Sequence, residues 1–172
     1  MKRMVVTAAA LIAPVAAAEE PARAPEAVRR LEGCWQGTGE VMGKPVTIAA
    51  QARSVALGAM LALDANSVAT AESSDRYAAH LVFGGGQEAE QVTGFWSDSF
   101  GGSMTALGSG AVRANGFDID YRYSDAVFVN RWRIAGERLG WSIVARDAAG
   151  KEQPFARYTL HRIRCAPETI DR

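Results

Sequence analysis

Apolar and polar residues alternate with a period of two along most of this chain. The clearest run is "GFDIDYRYS", where Phe117, Ile119, Tyr121 and Tyr123 fall on one side and Asp118, Asp120 and Arg122 on the other. A strand with one face buried and one wetted has this pattern, because successive side chains point to opposite sides of the sheet. In "RLGWSIVARD", Leu139, Trp141, Ile143 and Ala145 share a face. In "AVFVNRWRIAG", Phe128, Asn130, Trp132 and Ile134 oppose Val127, Val129, Arg131 and Arg133. The aromatic set is read as inner, since long arginine stems can cover apolar outer surface while their heads stay in water. Turn signals recur about every ten residues from position 42 onward, among them "MGKP", "AESSD", "FGGGQ", "SFGGS", "RANG", "YSDA" and "DAAGKEQP". They divide the chain into about ten short strands. Before them, "PARAPEAVRRLEG" reads as a linker and one or two helical turns, with Ala27, Val28 and Leu31 as a small apolar face ended by Gly33. The expected architecture is all-β: a single up-and-down antiparallel barrel of about ten strands with a short N-terminal helix.

Parity makes the barrel testable. In "LEGCWQGTGE", Trp35, Gly37 and Gly39 share one face and Cys34 takes the other. In "PFARYTLHRIRC", Ala156, Tyr158, Leu160, Arg162 and Arg164 share one face, and Cys165 lies opposite. Closing an up-and-down barrel sets first and last strands side by side. With Trp35 and Tyr158 inward, Cys34 and Cys165 both face outward at one end, where a cross-strand disulfide is expected. The same parity places Arg162 or Arg164 on the Trp35 face, able to stack on the indole. Gly37 and Gly39 leave the floor uncrowded and permit the coiling that closure demands.

Composition adds the compartment. The segment "MKRMVVTAAALIAPVAAAEE" has a basic start, an apolar run and small residues at its end, the pattern of a secretory signal peptide cleaved after Ala18. The expected organisation is signal peptide 1–18, linker 19–24, barrel 25–166 and a disordered tail 167–172. Export to the periplasm or the medium follows, and an oxidising compartment suits a cysteine pair. Cleavage removes Lys2 and Arg3 and leaves a net charge of about −2. No basic footprint for nucleic acid is present, and no segment of the mature chain reads as a transmembrane helix. Two histidines, His80 and His161, are too few for a histidine-rich metal site, and no metal is expected.

The Gly33-x-Trp35 motif behind a short helix and the arginine at 162 or 164 resemble the calycin superfamily, the lipocalin-like barrels, in which a last-strand arginine packs across that tryptophan. The repeated glycines after Trp35, the ten strands and the segment "GFWSDSFGGSMTALGSG" look closer to the nitrobindin-like haem barrels and their bacterial relatives of unknown function. Gly33, Trp35, Arg162 and Arg164 take structural roles by this resemblance. It also raises haem as a cofactor, bound in that group through a last-strand histidine. Here the comparable position is Phe155, and both His80 and His161 have outward parity. Tyr158 is the remaining candidate ligand to iron.

Catalytic constellations are weak. Ser97, Asp98 and Ser99 in "WSDSFGG" have no base beside them if both histidines face outward, and Asp98 and Ser99 read as turn formers. Asp118 and Asp120 share a strand face read as solvated. The inner aromatics carry more: Trp96, Tyr121, Tyr123, Trp132 and Tyr158, with Asn130, either fill the core or line a cavity for a small hydrophobic or amphipathic molecule. Such a ligand, bound without chemistry and oriented by tyrosine hydroxyls and Asn130, is the leading expectation. A haem-dependent redox barrel and an envelope protein-interaction module are the alternatives.

Overall fold

The computed structural model describes residues 22–166. The expected signal peptide 1–18, residues 19–21 of the expected linker and the expected tail 167–172 lie outside the described residues. One short helix, α1 (Glu26–Arg29), precedes ten strands. They are β1 (Gly33–Val41), β2 (Lys44–Val55), β3 (Met60–Ala69), β4 (Arg76–Gly85), β5 (Gln91–Asp98), β6 (Ala106–Arg113), β7 (Gly116–Arg122), β8 (Val127–Ala135), β9 (Arg138–Arg146) and β10 (Glu152–Ile163). Each strand pairs antiparallel with its sequence neighbours, and β1 closes on β10. Among the described residues every strand has a paired neighbour on both sides, the closure by which barrels remove the edges that template aggregation.

The seam between β1 and β10 explains the glycines that open the fold. Trp35 is opposite Arg162, Gly37 opposite Leu160 and Gly39 opposite Tyr158. A Cβ at Gly37 would sit 2.0 Å from the Thr159 carbonyl oxygen, and one at Gly39 would sit 2.4 Å from the Tyr158 ring. The last strand therefore crosses the first at a distance only glycine allows. Cys34 and Cys165 form a disulfide outside this seam, joining positions 131 residues apart.

The two ends of the barrel differ. One end is packed shut. Val28 and Leu31 of the α1 region are fully buried with Trp35, Phe83, Phe117, Trp132 and Ile134. The Trp35 indole donates to the Leu31 carbonyl (2.7 Å). Arg162 lies with its guanidinium carbon 4.1 Å from the Trp35 ring centroid. It donates to the carbonyls of Glu32 and, at 3.0 Å, Arg30. Gly33 has φ +117°, and a Cβ there would lie 2.6 Å from Arg162 Nη1; the guanidinium occupies the place a side chain would take. Arg164 is exposed beyond the end of β10, so of the two arginines only Arg162 seals the floor. Ala24 is not free linker: it is buried and its N–H bonds the Gly58 carbonyl (2.9 Å). At the other end the strands open into a cavity.

Candidate ligand-binding site

The open half of the barrel holds a cavity of about 520 Å³. Its walls are mainly apolar, with polar positions at Ser67, Asp98, Asn130 and the tyrosine hydroxyls. The sequence has four tyrosines, and all four, Tyr77, Tyr121, Tyr123 and Tyr158, line this space. Burial pushes each phenol above its ordinary value, Tyr158 to about 12, so every hydroxyl remains a neutral donor near neutral pH. Period-two alternation brings them there. Tyr121 stands on β7 and Tyr158 on β10 with the same inward parity as their buried neighbours Ile119 and Leu160.

Of the residues expected to meet a ligand, Trp96, Tyr121, Tyr123, Asn130 and Tyr158 line the cavity. Trp132 does not. It points inward but lies lower, stacked between Phe117 (centroids 5.9 Å apart) and Trp141 (4.2 Å). Trp141 continues this column upward and meets Tyr158 at 4.9 Å, so the packed floor passes into the cavity wall through one line of rings. Asn130, 1% exposed, accepts from the Trp141 indole (2.9 Å) and donates to the Phe128 carbonyl (3.3 Å). Both ends of its amide are engaged, so it holds Trp141 in place. Tyr121 has the opposite condition: its hydroxyl is buried and bonds nothing. The ring fits a trough between two cross-strand glycines, where a Cβ at Gly94 or Gly108 would lie 2.5 Å from Ile119 or 2.7 Å from the Tyr121 ring.

Asp98 is the residue the sequence reading misplaced. It is no mere turn former, because its parity is that of Gly94 and Trp96, and it projects to the cavity. Oδ2 accepts from the Tyr77 hydroxyl (2.9 Å) and the Trp96 indole (3.1 Å), and Oδ1 accepts from the Phe100 N–H (2.9 Å). Around the mouth, Met42 and Phe100 are 74% and 73% exposed, and Met104 is partly exposed. Met42 holds φ 48° in the two-residue β1–β2 turn completed by Gly43 at φ 81°, the paired left-handed geometry of a tight hairpin.

The outer wall holds the other polar groups. Asp118 pairs with Arg113 and Arg133, and Asp120 with Arg146. His80 Nδ1 lies 2.7 Å from Asp64 Oδ1, and Arg53 bonds the other oxygen at 2.7 Å. Burial raises the Asp64 carboxyl, but the bonds from His80 and Arg53 outweigh it and hold the pKa below the usual value. The β4–β5 register sets His80 opposite Ser97, which corrects the expectation that no base lies beside that serine. Both are on the outside. No hydrogen bond joins the two side chains among the described residues.

Both histidines lie on the outer face and both cysteines are bridged, so neither type offers a haem ligand to the interior; the donors of the axial-ligand types that line the cavity are Met42, Met104 and the four tyrosines. Among the described residues no three His, Cys, Asp or Glu side chains converge to hold a metal ion.

No protein-family model matches the chain, and no curated protein matches it in sequence. Solved structures do share its shape. The crystal structure of Rv2717c from M. tuberculosis superposes with a TM-score of 0.64 at 16% identity, over 82% of this chain and 99% of that one. The S-type phycobiliprotein lyase CPES from Guillardia theta gives 0.58 at 14% identity, over 81% of this chain and 92% of that one. The fold is calycin-like. At such identities the likeness concerns architecture alone. No described helix is long and apolar enough to cross a membrane.

Proposed function

We propose that this is an exported barrel, periplasmic or secreted, that binds one small hydrophobic or amphipathic molecule in the open half of its interior. The observation that carries the reading is the asymmetry of the barrel: a packed floor of Trp35, Phe117 and Trp132 beneath a cavity of about 520 Å³ open at one end. That volume lies within the range of small-molecule sites, which are concave, mostly apolar and carry a few polar groups that fix orientation. The unbonded Tyr121 hydroxyl supports a ligand with a polar atom, since a buried donor left unpaired costs about 1–3 kcal/mol. Exposed Met42, Phe100 and Met104 give the entrance an apolar lip. A barrel of the same shape serves a phycobiliprotein lyase, which agrees with a cavity put to use. The disulfide supports the oxidising compartment; the motifs at Gly33, Trp35 and Arg162 support a calycin-like barrel, and the repeated glycines after Trp35 with the ten strands support a place near the nitrobindin-like branch.

Native mass spectrometry of protein purified from its own host tests this. The expected spectrum carries one small-molecule adduct per chain, removed by organic extraction. A bare mass that also stays bare after exposure to a lipid extract would overturn the reading.

A further inference from the structure

Two charged groups at the cavity have no ion pair among the described residues, Asp98 and Arg76. Arg76 is exposed at the rim, where its Nε donates to the Ser73 carbonyl at 3.1 Å and water screens its charge. Asp98 is half-buried, and its three bonds come from neutral donors, the Tyr77 hydroxyl, the Trp96 indole and the Phe100 amide. The remaining cation, Lys44, is paired, its Nζ 3.3 Å from Asp75 Oδ2. A carboxylate offers about four acceptor positions. Three are filled, so one is left on Oδ1.

What surrounds that charge is aromatic. Tyr77 and Phe100 contact each other with centroids 5.6 Å apart, and Trp96 is linked to Asp98 by its own indole N–H. Asp98 is also close enough to Tyr123 to help raise its phenol, second to burial. Ring faces attract cations and have no such attraction for anions. A carboxylate without a counterion disfavours a second negative charge beside it and gains from a positive one. A neutral ligand would leave the charge as it is. An anionic one would bring two like charges together.

We propose that the cavity selects monocationic amphiphiles, an alkyl or aryl chain bearing an ammonium group, with the cation placed between Asp98 and the Tyr77, Trp96 and Phe100 rings and the chain directed down the cavity. This rests on the reading of the cavity as a ligand site and adds the charge of the ligand to it.

Three probes with the same ten-carbon chain and small heads test it, each kept below its micellar concentration: decylammonium, decanol and decanoate. Binding is read from the fluorescence of Trp96 and Trp141, which line the cavity. The cation is expected to bind tenfold or more tightly than the alcohol, a gap that attraction to ring and carboxylate at a partly desolvated site supplies, and decanoate is expected to be the weakest. Asp98→Asn keeps an oxygen for Tyr77 and Trp96 while removing the charge. It should bring cation and alcohol within threefold of each other, whatever it does to the alcohol's own affinity. Asp98→Glu should restore part of the preference. Equal binding of cation and alcohol to the unmodified protein would overturn the charge assignment and leave the cavity reading intact, as would a preference that survives in Asp98→Asn. If none of the three probes saturates, both fall.

Discussion

Reducing the Cys34–Cys165 bridge should destabilise the protein strongly without opening its barrel. The bridge closes a loop of 131 residues, and the chain-entropy relation assigns such a loop about 5 kcal/mol, against the 2–4 kcal/mol usually measured. The native seam does not depend on the bond. β1 and β10 stay paired from Cys34–Ile163 through Val41–Ala156, and Arg162 still clamps the floor to α1. The effect therefore falls on the unfolded chain, which regains freedom when the crosslink goes. Unfolding entropy of about 2.1 cal/mol/K per residue over roughly 145 ordered residues gives about 0.3 kcal/mol/K. A loss of 2–5 kcal/mol then lowers Tm by roughly 7–16 °C. Calorimetry with and without reductant measures this, and near-UV circular dichroism below the transition should be the same in both states. The urea m-value should rise on reduction, because an uncrosslinked unfolded chain exposes more surface. A Tm shift under about 3 °C, or loss of the near-UV signal at room temperature, would refute the reasoning.

Two further outcomes follow from the floor and the tyrosines. Arg162→Ala removes the stacking on Trp35 and leaves the Arg30 and Glu32 carbonyls without their donor, and it should cost about 2–4 kcal/mol in urea unfolding; Arg162→Lys should recover only part, because an ammonium lacks the planar fork. Alkaline titration followed by phenolate absorbance should show Tyr77, Tyr121 and Tyr158 still protonated at the ordinary tyrosine value of 10. A phenol whose folded pKa is raised binds its proton more tightly in the fold, so the stability Tyr158 contributes is whole below pH 10 and lost as pH rises through about 12. Ionisation of these three and loss of the native circular dichroism should therefore coincide, and a phenolate signal from more than one tyrosine per chain near pH 10 with the fold intact would contradict the burial of these rings.

Side-chain parity along a strand was legible in the sequence, and much of the fold follows from it: the inward set of β7 to β10, the shared side of the two cysteines and the paired termini. Parity says which side a residue faces and nothing about its height along the barrel axis. Trp132 and Trp141 face each other in the β8–β9 register, yet only Trp141 reaches the cavity. Height depends on the stagger between strands, which also decides that Arg162 rather than Arg164 meets Trp35. Register across strands was equally hidden, so His80 could not be set opposite Ser97 from either strand alone. Asp98 is a different case. The alternation Gly94, Trp96, Asp98 was visible, but the glycines and serines that follow read as a turn and drew the aspartate into it. Phe100 and Met104 lie beyond the end of β5, and Met42 lies between β1 and β2, where strand periodicity carries no signal.

The central claim is a barrel packed at one end and hollow at the other. Ser67 is buried on the inner face of β3 and lines the cavity, so Ser67→Trp places an indole in the open space. Titration with the apolar fluorophore N-phenyl-1-naphthylamine tests the claim most directly. The account predicts saturable enhancement at one probe per chain in the unmodified protein, abolished in Ser67→Trp while that variant still melts cooperatively. Probe binding that never saturates, or that persists unchanged in a folded Ser67→Trp protein, would contradict it.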